Sequence, residues 1–175
     1  MTWTFFHIVD IVLWLIIAGS VAYVFFFAVI SLFYDKEDHI AEQAAALKNQ
    51  QSRFLILYPA YKEDKVITNA VERFLLQDYH KDHYQIVVIS DHMQPETNDY
   101  LRKLPITLLA PTFERSSKAK AMQYAISQIQ GDFDDVVILD ADNVVNPDFL
   151  SQLNILCSVY DAIQCHRCAK NANND

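Results

Sequence analysis

VVILDAD, at residues 136–142, joins four apolar residues directly to two carboxylates, Asp140 and Asp142. The apolar run lies between residues 131–132 and Asn143, as expected for a central strand of an α/β sheet. Ligands bind at the carboxyl ends of such strands, where these two acidic side chains would lie. Two carboxylates there can hold a hard divalent cation, which neutralises phosphate oxygens. A solvated acidic loop is the commoner origin of such a pair by itself, so the surrounding sequence decides.

The N-terminal part of the chain has the pattern of a membrane anchor. Residues 11–34 include no charged side chain, and a helix of that length spans the ~30 Å hydrocarbon core at ~1.5 Å per residue. The run is longer than the apolar region of a signal peptide and lacks a preceding basic segment. We predict a transmembrane anchor over residues 1–35 and a juxtamembrane connector helix over residues 36–52. The basic residues that follow favour a cytoplasmic location for the rest of the chain.

Charge and glycine content exclude several kinds of ligand and loop. The formal net charge is -8 and the pI is about 5.1, whereas a nucleic-acid-binding surface needs clustered Lys and Arg. We therefore expect no nucleic-acid partner. The glycines of the chain are Gly19 and Gly131, so the sequence has neither the dinucleotide-binding fingerprint nor a P-loop.

Residues 53–175 form a segment of domain size in which apolar patterns alternate between strand and helix. The expected strands lie at residues 54–58, 84–89, 106–110, 136–139 and 162–168, and the expected helices at residues 63–77, 95–103, 117–130 and 147–160. Strands that alternate with helices form parallel βαβ units with right-handed crossovers. The predicted fold class is therefore α/β, with a mostly parallel sheet that follows one transmembrane helix.

Four segments would meet at the carboxyl edge of that sheet. Three of them follow strands, at residues 59–63, 90–92 and 140–142, and the fourth, residues 115–118, precedes a helix. An aromatic ring, several carboxylates and two cations would then line one crevice. This combination suits a nucleoside diphosphate together with a metal ion.

The same segments resemble, in order and spacing, the motifs of family 2 inverting glycosyltransferases with a GT-A fold. The resemblance covers residues 54–171 and rests on PAYKE at 59–63, VVISD at 87–91, SKAKAMQ at 117–123, ILDAD at 138–142 and PDFL at 147–150. It implies a mostly parallel GT-A (Rossmann-like) nucleotide-binding sheet in a membrane-bound enzyme. Such an enzyme would transfer a sugar from a nucleotide donor, most often a UDP-sugar, to a lipid or polysaccharide acceptor.

The resemblance also implies roles for individual residues. The nucleotide-binding residues would be Pro59, Ala60, Tyr61, Glu63, Asp91, Lys118 and Asp140. Tyr61 and Glu63 would border the base and ribose, and Asp91 would bind the edge of the base. Lys118 would lie near the base and the diphosphate. Asp140 would approach the ribose and the metal, and Asp142 would bind Mn²⁺ or Mg²⁺ directly.

The chain departs from the family pattern in two respects. Ser117 stands where family members usually have a glycine before the lysine. The general base and the acceptor-binding motif of the family lie well downstream of the metal motif, and no catalytic residue can be assigned here. We therefore expect residues 53–175 to be a cytoplasmic donor-binding portion without its acceptor half, which a second chain could supply.

Three other interpretations stay open. The chain could be a catalytically inactive, membrane-tethered nucleotide-binding fragment. It could instead be a receiver-like signalling module, although such a module needs an aspartate at the end of its third strand, where Ala110-Pro111 lies. Finally, Cys165 and Cys168 have the spacing of a zinc or redox site, with Cys157 as a nearby third thiol.

Overall fold

The computed structural model describes residues 2–32 and 51–165 of the chain. These residues belong to two compact units, Met1–Glu42 and Gln43–Asp175. The first unit contains the predicted anchor, and the second contains the predicted sheet with the VVISD and ILDAD segments.

Helix α1 of the first unit runs over Thr2–Leu32. By length and composition, its segment Phe5–Leu32 can span a membrane. The hydroxyls of Ser20 and Ser31 donate to backbone carbonyls of the preceding turn, each at 2.8 Å. These polar groups therefore have partners without water, as a helix in hydrocarbon requires.

This apolar helix fits the predicted anchor over the residues that are described. Residues 33–50, which include the end of the predicted anchor and most of the predicted connector helix, lie outside them. The boundary at residue 35 therefore stays a prediction, whereas residues 51 and 52, the last two of the predicted connector helix, are not helical.

The second unit is built on a parallel sheet whose described strands follow the order β3-β2-β1-β4. The strands are β1 (Phe54–Tyr61), β2 (Tyr84–Asp91), β3 (Thr107–Leu109) and β4 (Asp135–Ile138). β1 and β2 pair along their full length, whereas β4 pairs with only the first half of β1. The predicted parallel α/β sheet is confirmed.

Helices connect these strands and cover both faces of the sheet. They are α2 (Ile67–Phe74), α3 (Pro95–Leu101), α4 (Lys118–Gln128) and α5 (Phe149–Cys157), with a short 3-10 helix at Lys81–His83. Each of the four predicted helices is present and is shorter than predicted. The difference arises where flanking residues form turns. At the start of α2, for example, the Glu63 carbonyl accepts from the N–H groups of Val66 and Ile67, each at 3.2 Å.

Alternate residues of β1 divide the core between the two faces of the sheet. On one face, Phe54, Ile56 and Tyr58 pack with apolar residues of α2 and α5. On the other face, Leu55 and Leu57 pack against α4, which contributes Ala121 and Ala125. Burial of each large apolar side chain contributes about 1.5–3 kcal/mol. The first strand is therefore the centre of the core on both faces.

The position of β4 differs from the prediction. We expected residues 136–139 to form a central, buried strand, but in the described sheet β4 lies at the edge, beyond β1. Val137 and Leu139 are buried, whereas Val136 and Ile138 are 52% and 48% exposed. An apolar run has the same sequence whether one or both of its faces are covered, so its local pattern did not specify its place in the sheet.

The predicted fifth strand, residues 162–168, is not formed over residues 162–165. Ile163 still packs against the core, from a segment that has no strand pairing. Alternation of polar and apolar residues suits any extended segment that lies on a core, but a strand also needs a neighbouring strand to bond with. The prediction is therefore wrong for residues 162–165, and residues 166–168 lie outside the described part of the chain.

Gln77, which is buried just after α2, holds the segment that leads from β4 into α5. Its Nε2 donates to the Asn146 carbonyl at 2.5 Å, and its Oε1 accepts from the Leu150 N–H at 2.9 Å. That N–H belongs to the first turn of α5, where amides lack partners within the helix. The Asp78 N–H also donates to the Pro147 carbonyl, at 2.7 Å. These bonds fix the chain that follows the two carboxylates of the VVILDAD segment.

We expect Gln77→Leu to lower the free energy of unfolding by about 1–3 kcal/mol, because it leaves the buried Leu150 N–H and the Asn146 carbonyl without their partners. Urea denaturation of the detergent-solubilised chain measures this change. Gln123→Leu, on the exposed side of α4, is the matched control and should change the free energy by less than about 0.5 kcal/mol. Equal effects of the two substitutions would contradict the role given to Gln77.

Candidate functional site

The carboxyl ends of β1 and β2 lie side by side. Tyr61 of β1 is opposite Asp91 of β2 in the strand register. The Lys62 N–H donates to the Asp91 carbonyl at 3.2 Å, and the Glu63 N–H donates to Sδ of Met93, also at 3.2 Å. The loops that follow the two strands are therefore joined to each other, as the parallel arrangement predicted.

Lys62 and His92, the residues directly after these strands, both have a left-handed backbone, with φ of 55° and 57°. This conformation costs a residue with a side chain about 1–2 kcal/mol. Such strain is common where the surrounding structure holds a functional arrangement in place. The Gln94 N–H also donates to Oδ1 of Asp64 at 2.8 Å, which ties the same two loops together. Contacts between the loops, rather than glycine, therefore set the direction in which the chain turns.

Four side chains meet at these strand ends. The Asp91 side chain is 4% exposed, and its Oδ1 accepts a hydrogen bond from Nδ1 of His92 at 2.6 Å. The His92 ring lies edge-on to Tyr61, with ring centroids 5.7 Å apart, and the Lys62 ammonium is 5.1 Å from the centroid of the Tyr61 ring. Tyr61 is 49% exposed, so about half of its surface, including part of the aromatic ring, is open to solvent. We call Tyr61, Lys62, Asp91 and His92 the β1–β2 cluster.

A second group forms at the end of β4. The Leu139 N–H donates to the Leu57 carbonyl at 3.0 Å, which extends the strand pairing to the residue before Asp140. Nζ of Lys118, the first residue of α4, donates to Oδ1 of Asp140 at 2.5 Å. The two side chains are 51% and 33% exposed, and an ion pair this exposed contributes only about 0–1 kcal/mol to stability. The pair therefore matters little for folding.

Asp142 lies on a turn that the Asn143 N–H closes by donating to the Asp140 carbonyl at 2.9 Å. Ala141, between the two aspartates, is buried, and Asp142 is exposed. With its amide oriented to satisfy both neighbours, Asn143 donates to Oδ1 of Asp142 and accepts from the Asp140 N–H, each at 3.2 Å. We call Lys118, Asp140 and Asp142 the β4 cluster.

Ser117, at the position where the family pattern has glycine, is the N-cap of α4. Its backbone is extended, with φ of -155°, and its side chain accepts a hydrogen bond from the Lys120 N–H at 3.3 Å. Nζ of Lys120 donates to the Arg115 carbonyl at 3.1 Å, which braces the loop before the helix. The serine therefore starts the helix that carries Lys118 without backbone strain.

The other predicted nucleotide-binding residues have less direct positions. Ala60 is buried in the core and Pro59 is half-buried within β1, so both shape the end of the strand. Glu63 is exposed, just beyond the strand. His92 and Asn143 were not among the predicted site residues. The available signal for His92 was a histidine directly after the acidic residue that ends a strand.

The oxygen donors of the β4 cluster fit one kind of metal site. Among residues 2–32 and 51–165, no three His, Cys, Asp or Glu side chains come together in a group able to hold a metal. Asp140 and Asp142 offer hard oxygen ligands, and Mg²⁺ typically takes one or two protein carboxylates and completes its coordination with water and phosphate. The cluster therefore fits a divalent cation that is shared with a phosphate ligand, and not one enclosed by protein.

A cavity of about 400 Å³ lies at the opposite end of β2 and β3, lined in part by Leu75, Lys81, Tyr84 and Thr107. The Lys81 ammonium donates to the Leu75 carbonyl and the Tyr84 hydroxyl, each at 2.7 Å, and to the Gln77 carbonyl at 3.3 Å. All three of its donors are therefore used within the protein. This lysine has a structural role, and the cavity has no feature that suits an anionic ligand.

Residues 52–174 match the protein-family model described as glycosyltransferase-like family 2. The match covers more than half of the chain and includes both clusters. The chain belongs to glycosyltransferase family 2. The family resemblance of the sequence motifs is therefore confirmed, and the receiver-like interpretation is not favoured.

Two glycosyltransferases are similar in sequence to this family 2 chain. Poly(ribitol-phosphate) β-N-acetylglucosaminyltransferase TarS of Staphylococcus aureus is 26% identical over 102 residues, which are 56% of this chain and 18% of that protein. Dolichyl N-acetyl-α-D-glucosaminyl phosphate 3-β-D-2,3-diacetamido-2,3-dideoxy-β-D-glucuronosyltransferase of Methanococcus voltae is 28% identical over 100 residues, which are 54% of this chain and 30% of that protein. The chain thus spans less than a third of either relative.

Solved structures agree with the GT-A fold of the family. The mannosyltransferase PcManGT from Pyrobaculum calidifontis, in complex with GDP-Man and Mn²⁺, is 25% identical, with a TM-score of 0.51 over 65% of this chain and 37% of that protein. Glucosyl-3-phosphoglycerate synthase from Mycobacterium tuberculosis is 18% identical, with a TM-score of 0.50 over 75% of this chain and 48% of that protein. The second likeness concerns the fold alone.

The described cysteines of this family 2 chain do not resemble a zinc or redox site. Cys157 is half-buried, and burial together with the neighbouring Asp135 carboxylate raises the pKa of its thiol to about 12. Because the thiolate is the form that attacks electrophiles and binds metals, this thiol is poorly suited to either task. Cys165 is exposed, and Cys168 lies outside the described residues, so the Cys165–Cys168 pairing stays a prediction.

At about pH 8, we expect iodoacetamide to alkylate Cys165 at least roughly tenfold faster than Cys157. The Cys157 side chain is shielded, and only a small fraction of its thiol is ionised. Since its pKa of about 12 is raised, the Cys157 rate should keep rising as the pH is increased toward 10, without a plateau. Mass spectrometry after chymotrypsin digestion separates the two sites. Equal alkylation rates of the two cysteines at about pH 8 would show that the Cys157 thiol is not shielded and that its pKa is not raised.

Proposed function

We propose that the second unit, which contains the sheet and is called the globular unit below, binds a nucleoside-diphosphate sugar, with a UDP-sugar as the donor, at the carboxyl edge of its sheet. It would do so within a membrane-bound enzyme that transfers the sugar to a lipid or polysaccharide acceptor. The observation that carries this proposal is the β4 cluster, in which Lys118 bonds to one of two carboxylates at a strand end. The β1–β2 cluster adds an exposed aromatic ring and a buried carboxylate. An anionic ligand with a planar base suits this combination.

The names of the relatives support the donor and acceptor classes. TarS is named as an N-acetylglucosaminyltransferase that acts on poly(ribitol-phosphate), and the Methanococcus voltae relative as a transferase that acts on a dolichyl-linked sugar phosphate. The mannosyltransferase structure contains GDP-Man and Mn²⁺. Polymer and lipid acceptors and a nucleotide-sugar donor are therefore represented among the proteins similar to this chain.

A diphosphate at the β4 cluster would meet charges of both signs. The Lys118 ammonium would attract phosphate oxygens, whereas Asp140 and Asp142 alone would repel them. We therefore assign Mn²⁺ or Mg²⁺ to the two carboxylates, since such a cation binds carboxylate and phosphate oxygens together. When bound, the cation supplies stabilisation of the negative charge that develops on the departing diphosphate. Lys118 would contribute to the same stabilisation as a fixed protein cation.

The β1–β2 cluster suits the nucleoside part of the donor. The half-exposed ring of Tyr61 offers a face on which a base can stack. Asp91 offers a carboxylate that accepts hydrogen bonds from base N–H groups, and the exposed Glu63 can accept them from ribose hydroxyls. Pro59 and Ala60 would shape the strand end beneath these contacts.

The chemical step requires a further group. An inverting displacement at the sugar needs a general base that takes the proton of the acceptor hydroxyl. We assign no general base among residues 51–165, where the residues of both clusters have roles in donor binding. Residues 53–175 are therefore proposed as the donor-binding portion, for which a second chain could supply the acceptor site.

We expect Asp142→Asn to weaken UDP binding in the presence of Mn²⁺ by roughly tenfold or more, because a neutral amide is a weaker ligand for a hard cation. In EDTA the substitution should have little effect. Calorimetric titration of UDP into the detergent-solubilised chain measures both conditions. Asp132→Asn, an exposed aspartate before β4, is the matched control. Identical Mn²⁺-dependent affinities for Asp142→Asn and the parent chain would rule out Asp142 as a metal ligand.

We also propose that α1 anchors the protein with its globular unit in the cytoplasm. Residues 1–35 contain no Lys or Arg, whereas Lys36, Lys48 and Arg53 follow the apolar segment. Positively charged residues next to a membrane span are enriched on the cytoplasmic side. A cytoplasmic position also gives the site access to nucleotide sugars, which are held in the cytosol.

In sealed inside-out membrane vesicles, trypsin should digest the globular unit, because the cytoplasmic face of the membrane is on the outside of these vesicles. In right-side-out vesicles the unit should resist digestion until detergent is added. Immunoblotting of a C-terminal epitope tag detects the unit in both preparations. Digestion in intact right-side-out vesicles would reverse the proposed orientation.

A further inference from the structure

His92 follows the last residue of β2, and its ring bonds back to Asp91, with Nδ1 of His92 2.6 Å from Oδ1 of Asp91. Because a carboxylate oxygen accepts hydrogen bonds, Nδ1 of the ring is the donor. The His92 side chain is 45% exposed, whereas the Asp91 side chain is 4% exposed. The ring therefore extends from a buried carboxylate to the surface of the site.

Asp91 has a second carboxylate oxygen that can serve a ligand. Among the described residues, the His92 ring is the side-chain partner of this carboxylate. The buried side-chain oxygen without a partner in the same residues is the Tyr58 hydroxyl. The second oxygen of Asp91 does not belong to that class, and the Asp91 side chain keeps 4% of its surface in contact with solvent. A ligand N–H that replaces this solvent would form a charge-assisted hydrogen bond.

Contacts from the loop after β1 hold His92 in place. Its backbone has φ of 57°, a conformation that glycine adopts more readily. The Lys62 N–H donates to the carbonyl of Asp91 at 3.2 Å, directly before this residue. The Tyr61 ring packs against the imidazole, with centroids 5.7 Å apart and planes at 63°. Since glycine would suit the backbone better, the backbone alone does not explain a histidine here.

We propose that His92 is a positioning residue that makes the site select its nucleobase. By donating from Nδ1 to Oδ1 of Asp91, it holds the carboxylate so that the second oxygen accepts a hydrogen bond from a base with a ring N–H, as in uracil. This inference rests on the proposed binding of a nucleoside diphosphate. Cytosine has a lone pair at the corresponding ring nitrogen, which a fixed carboxylate oxygen repels. Without His92 the carboxylate can rotate, and the discrimination weakens.

Calorimetric titration of UDP and of CDP, each with Mn²⁺, into the detergent-solubilised chain measures this selection. We expect His92→Gly, which suits the left-handed backbone, to lower UDP affinity roughly tenfold and to change CDP affinity much less. The ratio of UDP to CDP affinity should therefore fall. Asparagine tolerates the same left-handed backbone and has an amide N–H donor, so His92→Asn should lose less UDP affinity than His92→Gly. His80→Asn, at an exposed histidine before β2, is the matched control and should change neither affinity.

A double-mutant cycle with Asp91→Asn tests whether His92 acts through Asp91. In the Asp91→Asn background, His92→Gly should change the ratio of UDP to CDP affinity by less than about twofold, because the carboxylate that His92 positions is gone. Thermal unfolding shows that each variant is folded. If His92→Gly does not fold, His92→Asn serves in the same cycle.

Three results would each overturn the role of His92. They are an unchanged ratio of UDP to CDP affinity in His92→Gly, an equal loss of UDP and CDP affinity in that variant, and additive effects in the double-mutant cycle. A parent chain that binds UDP without preference over CDP would overturn it as well, while donor binding stands. A parent chain that binds neither nucleotide would overturn the proposed function together with this inference. The failure of each proposal is therefore distinguishable.

Discussion

The pairing of β1 with β2 is the interaction on which the candidate site depends. The two strands are in register along their full length, so Tyr61 and Asp91 end at the same edge of the sheet. Burial of β1 side chains on both faces fixes this register, because a shift of one residue would turn each apolar side chain to the opposite face. The same shift would end the pairing that places Tyr61 opposite Asp91. The geometry of the β1–β2 cluster is therefore a consequence of how the core is buried.

Burial also distinguishes the carboxylates of the site from one another. Asp91 is almost fully buried and must keep a hydrogen bond to remain there, so its orientation is defined by His92. Asp140 is one-third exposed and bonds to Lys118, and Asp142 is exposed. Hydrated carboxylates can adjust to an incoming cation and its phosphate ligand. One edge of the sheet thus combines a rigid group suited to recognition of a base with adaptable groups suited to charge.

Local patterns in the sequence were sufficient to predict the alternation of strands and helices, the parallel sheet and the segments along its carboxyl edge. They were also sufficient to predict the apolar helix α1. These features depend on hydrophobic periodicity and on chain order, which are properties of neighbouring residues. The approach of Tyr61 to Asp91 followed from the parallel arrangement of their strands. The bond between Lys118 and Asp140 joins two of the segments that the same arrangement places at one edge.

Other features were decided only when distant segments came together. The apolar run of β4 does not predict that β1 is its one neighbouring strand within residues 51–165. It also does not predict that Val136 and Ile138 remain half-exposed. The alternating segment at residues 162–165 packs on the core without strand pairing, because pairing requires a second strand that local sequence does not specify. The contact of His92 with Asp91 depends on a left-handed turn that the neighbouring loop holds in place. Periodicity predicts which residues face a core, but the partners of a strand edge, a buried carboxylate and a strained turn exist only in the folded chain.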